Sequence, residues 1–126
     1  MRHALRVLFA AALLACSSTL AIADVIGEVG TPVGLTVHTD DSDTYYLMFH
    51  GQLFLKQADG TVQAYRWGGV SCGTRLLDEA QIATVQGALD NNKMRLQPIY
   101  QVGQGDSRCL VGFTIVPKSA VKLVIP

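Results

Sequence analysis

The chain has 126 residues, enough for one domain with a core of its own. Ten basic and ten acidic residues cancel, which argues against a nucleic-acid or anionic-membrane binder, since both need a concentrated basic surface. The mean hydropathy of +0.28 is raised by the N-terminal segment, and no later apolar run approaches membrane length.

That segment reads as a secretory signal peptide over residues 1–23. A short basic start with Arg2 and Arg6 precedes an Ala/Leu-rich apolar run, and Ala21-Ile22-Ala23 supplies the small-x-small cleavage pattern. Cleavage there leaves a domain of residues 24–126 with eight basic and ten acidic residues, a net charge of −2. A rival reading takes Leu13-Leu14-Ala15-Cys16 as a lipobox, making Cys16 the lipid anchor of a membrane-attached lipoprotein. The expected location is periplasmic or secreted, with membrane anchoring as the alternative.

Residues 25–29 form a short strand-like piece. Val33, Leu35 and Val37 then alternate with Gly34, Thr36 and His38, the pattern of a half-buried strand. The polar stretch 39–43 is a turn. Residues 44–57 are the longest β-prone run and are read as one strand with Gly51 as a bulge, the alternative being a two-residue turn at Gly51. Asp59-Gly60 signals a hairpin whose return strand ends at Trp67.

Gly68-Gly69 breaks the sheet and leads to Cys72. The one helix outside the signal segment follows. Asp78 is its N-cap and Gln81 closes a capping box, with Glu79 in the first turn. Ile82, Val85, Ala88 and Leu89 form its apolar face, and Asn91 and Asn92 stop it. Residues 93–102 are a strand in which Pro98 requires an edge or a bulge. A turn at 103–107 leads into a strand over 108–116, and residues 120–125 add a short last one.

The fold class is therefore α+β: an antiparallel sheet of five to seven strands with one amphipathic helix packed on one face. Cys72 and Cys109 are the only cysteines after the signal, and in a small exported domain they pair as a disulfide.

The chemistry-bearing residues are sparse. With Cys72 and Cys109 paired there is no thiolate nucleophile, and there is no Gly-x-Ser-x-Gly elbow. His38 with Asp40, Asp41 and Asp43 offers oxygen and nitrogen donors, but the spacing is not that of an EF-hand loop and zinc would need more ligands. No metal or cofactor is expected. Arg66, Arg75, Arg95 and Arg108 could gather near the disulfide as an anion-binding surface. Tyr65, Arg66 and Trp67 end a strand beside a glycine turn, the composition of an interface hot spot, unless Trp67 packs as core.

The candidate binding residues are thus Tyr65, Arg66, Trp67, Arg75 and Arg108. The expected function is an exported bacterial envelope protein without catalysis that binds another protein or envelope component, of inhibitor, immunity or assembly-accessory type. The alternative is a small secreted hydrolase using His38 or His50 with a nearby Asp.

Overall fold

The computed structural model describes residues 22–40, 44–91 and 94–118. In chain order the elements are β1 (Val25–Ile26), β2 (Thr31–Val37), β3 (Gly51–Lys56), β4 (Val62–Trp67), the helical turn α1 (Gly69–Cys72), α2 (Glu79–Asp90), β5 (Met94–Val102) and β6 (Arg108–Pro117). Short 3-10 turns occupy Thr44–Leu47 and Gln104–Asp106.

All six strands belong to one sheet in the order β1-β5-β6-β4-β3-β2. Every neighbouring pair is antiparallel except β4 and β6, which run parallel and meet at Arg66 and Cys109. The sheet is not flat. β1 and β2 lie at its opposite edges, yet Ile26 and Thr31 are only five residues apart, a reach of about 17 Å. A flat sheet of six strands would separate its edges by about 24 Å. The sheet therefore curls, and Gly30 and Leu96 exchange two backbone hydrogen bonds of 2.8 and 2.9 Å where the edges meet.

β1 and β2 thus act as one interrupted strand that pairs first with β5 and then with β3. The result is a five-stranded barrel with a helix between its third and fourth strands.

The core fills the barrel. Leu53 and Leu55 from β3, Tyr65 and Trp67 from β4, Leu96 from β5 and Leu110 from β6 are all buried. Helix α2 adds Val85 and Ala88, with Ile82 half-buried against them. Its capping box forms as the sequence indicates: the Gln81 amide donates to Asp78 Oδ1 at 2.7 Å and the Asp78 amide to Gln81 Oε1 at 3.0 Å. The Asp59-Gly60 hairpin forms as well, closed by the Gln57 amide donating to the Thr61 carbonyl at 2.8 Å.

The Cys72–Cys109 disulfide is present, with Cα atoms 5.5 Å apart. It ties α1 to the start of β6, beside the single β4–β6 register pair.

One local expectation is corrected. Residues 44–57 are not one bulged strand. Thr44–Leu47 winds into a 3-10 turn, and β3 begins at Gly51. Gly51 is needed for space. A Cβ there would sit 2.2 Å from Cζ2 of the Trp67 indole, so the glycine lets the largest core side chain lie across the strand. Of the edge or bulge expected at Pro98 the structure has the bulge, since β5 has β1 on one side and β6 on the other. The Pro98 carbonyl accepts from the Gly27 amide at 2.9 Å, so the side lacking a donor faces the break between β1 and β2. The expected bulge lies beside it, between Ile99 and Tyr100. The short strand over 120–125 lies outside the described residues, as does nearly all of the signal segment with Cys16.

Two outcomes test this packing. Replacing Cys72 and Cys109 together by Ser should lower unfolding free energy by about 4 kcal/mol from loop-closure entropy, read from urea titration of both proteins. Gly51→Ala should cost about 1–3 kcal/mol by overpacking against Trp67, seen as a lower melting temperature.

Candidate functional site

The alternation of β3 and β4 sorts their side chains between core and outer surface. Leu53, Leu55, Tyr65 and Trp67 point inward and are buried. Gln52, Phe54, Ala64 and Arg66 therefore lie on the outer face. Strand register arranges them in two rows. Gly34, Phe54 and Ala64 face one another across β2, β3 and β4, and Thr36, Gln52 and Arg66 form the next row.

Each row has a physical reason for its composition. The half-buried Phe54 ring leans over Gly34, where a Cβ would come within 3.1 Å of the ring. Its cross-strand neighbours in this row, Gly34 and Ala64, are both small. In the next row the Arg66 guanidinium lies 4.3 Å from the centroid of the Phe49 ring, a cation–π contact. Arg66 Nε donates to Gln52 Oε1 over a long 3.4 Å.

Beside these rows, a cleft of about 350 Å³ opens between β4 and the β5–β6 loop, lined by Gln63, Ala64, Arg66, Asp106, Ser107 and Arg108. That volume is at the small end of the ligand-pocket range. Asp106 holds a left-handed backbone, φ 59°, which aspartate tolerates better than most residues. Arg108 donates to Gln63 Oε1 and lies over the rings of Tyr65 and Tyr100, 5.9 and 5.6 Å from their centroids. Among the described residues, no carboxylate lies within salt-bridge distance of Arg66 or Arg108. A second cleft, of about 320 Å³, opens at the barrel mouth between Glu28, Gln57, Tyr65 and Tyr100, and the two meet at Gln63 and Arg108.

The five candidate binding residues are therefore divided. Arg66 and Arg108 share the first cleft. Tyr65 and Trp67 are each only 1% exposed and belong to the core, so neither offers an exposed aromatic face. Arg75 lines neither cleft. Its Nε donates to the Cys72 carbonyl at 2.8 Å, bracing the loop after α1. Of the wider arginine set, Arg95 lies elsewhere on the barrel, beside Val29–Thr31 and Lys56, donating to the Lys118 carbonyl at 2.7 Å.

The histidines sit in ring stacks. His38 lies 5.7 Å from Tyr45 and 5.1 Å from Phe49 between ring centroids, and His50 stacks flat on Tyr46 at 3.9 Å. Asp41 and Asp43 lie outside the described residues. Among the described residues, no three His, Cys, Asp or Glu side chains gather as a metal site, and no helix is long and apolar enough to cross a membrane.

Sequence reading overlooked Phe54, Gln52 and Gln63. The signal was present in the alternation over 51–56, which sets Gln52 and Phe54 opposite Leu53 and Leu55.

Burial raises the Tyr65 phenol above its usual value, and the neighbouring Arg108 charge only partly opposes this. The unfolded chain therefore releases this proton first. The contribution of this group to stability should be constant below about pH 10 and fall above it as the unfolded phenol ionises. Melting curves across that range should show the fall, and Tyr65→Phe should blunt it.

Compared with protein-family models, with curated proteins and with solved structures, the chain has no significant match.

Proposed function

We propose that this is an exported, non-catalytic binding protein of the bacterial envelope, whose partner is another protein or an envelope component. The carrying observation is the convergence of Arg66 and Arg108, neither ion-paired among the described residues, on one cleft beside an outward row centred on Phe54. A guanidinium without a carboxylate partner retains its capacity for bidentate recognition of an incoming anion. The signal-like N-terminus supports export. The barrel connectivity adds an argument by analogy. In OB-type barrels the second and third strands, with the loops that flank them, form a ligand face, and here those strands are β3 and β4.

Immobilised protein incubated with envelope extract should retain a component that an Arg66→Ala/Arg108→Ala double variant does not. The loss should be about tenfold or more, as expected for charged hydrogen bonds. Circular dichroism checks that the variant is folded. Equal retention by the folded double variant would reject this cleft as the binding site.

A further inference from the structure

We infer that the outer face of β2–β4 and the adjoining cleft form a binding site for a carboxylate-bearing sugar unit of an envelope glycan. This rests on the binding reading above and narrows its ligand to one chemical class.

Three features of the surface point to a sugar. The first is Phe54. It is outward and half-buried, and its cross-strand neighbours Gly34 and Ala64 are the two small residues of the row. Sugar rings present a face of C–H groups that suits such a platform. The second is the row beside it. Thr36 and Gln52 supply hydroxyl and amide groups that both donate and accept, which matches the mixed demand of sugar hydroxyls.

The third is charge. Arg66 is next to Gln52 in register, held in place from below by the Phe49 ring, and it opens into the same cleft as Arg108. A planar guanidinium fixed on an aromatic ring is pre-organised for a carboxylate. Asp106 and Ser107 close the far wall of the cleft. Asp106 would repel a polyanion that packs charge densely along its length, and the net charge of −2 for residues 24–126 acts in the same direction. A ligand with one carboxylate per ring avoids both penalties. A peptide strand could add only beside β4 where its pairing with β6 is limited to Arg66 and Cys109, away from the Phe54 row on β3.

In this arrangement Phe54 underlies the sugar ring, Thr36 and Gln52 bind its hydroxyls, and Arg66 takes its carboxylate. Arg108 sets the positive potential at the end of the cleft. No bond is made or broken.

Two acidic oligosaccharides serve as probes, trigalacturonic acid and sialyllactose, each beside its methyl ester. The expected result is calorimetric or array binding of at least one acid, with its ester weakened about tenfold. Arg66→Ala should show a similar loss, with partial recovery in Arg66→Lys, which keeps charge without the fork. Phe54→Leu preserves apolar bulk without an aromatic face and should weaken the same probe while leaving the melting temperature close to that of the parent.

Equal binding of acid and ester overturns the inference, as does binding that ignores Arg66 and Phe54, or no binding of either acid. In the last case, continued Arg66-dependent retention of an envelope component would show that only the sugar assignment fails. Arg66-independent retention would remove the cleft as the binding site altogether.

Discussion

The structure depends on one strand belonging to both edges of its sheet. Residues 25–26 pair with β5, residues 31–37 pair with β3, and the Gly30–Leu96 hydrogen bonds fasten the seam between them. Closure makes an interior, and Trp67, Tyr65, Leu53, Leu96 and Leu110 fill it. It also curves the outer face of β2–β4, bringing the Phe54 and Arg66 rows to one side of the barrel beside the β5–β6 loop. Core and candidate site are two faces of the same alternation. Leu53 and Leu55 are buried because they point in, and Gln52 and Phe54 are available because they point out.

The weakest ladder in the barrel is where covalent chemistry is placed. β4 and β6 share one register pair, Arg66 with Cys109, whereas β5 and β6 share nine. The disulfide anchors Cys109 to α1, immediately after β4. A non-local parallel contact is costly in chain entropy, and a crosslink across the intervening loop lowers that cost in the unfolded ensemble. Arg66 therefore occupies a seam that is held more by a covalent bond than by backbone pairing.

Much of this was legible in the residues. The α+β class, the capping box at Asp78, the Asp59-Gly60 hairpin and the Cys72–Cys109 pair all rest on local chemistry that a short window reveals. Closure was not legible, because nothing in residues 27–30 states that the strand changes partners. The aromatic run at 44–49 was misread for a related reason. Its β propensity is real, but the pairing slot beside Trp67 begins only at Gly51, and the preceding residues fold back over the barrel end as a turn. Trp67 shows the same limit: strand-end position favours an interface and size favours a core, and only the Gly51 gap decides between them. Arg66 and Arg108 were identifiable as cations, but their shared cleft follows from the parallel β4–β6 contact, which strand order in sequence does not reveal.

Closure also changes how the molecule meets its own kind. An open sheet carries two rows of unsatisfied amides and carbonyls that invite another chain to add a strand, and natural proteins commonly guard such rows with lysines or prolines. In this barrel the two would-be margins have been joined to each other, and helix α2 packs against β2 and β5 where the join ends. At that join, resistance to strand-by-strand polymerisation is supplied by connectivity and by the helix rather than by guard residues. The outward positions of β3 and β4 are correspondingly free to carry an aromatic ring and an uncompensated cation.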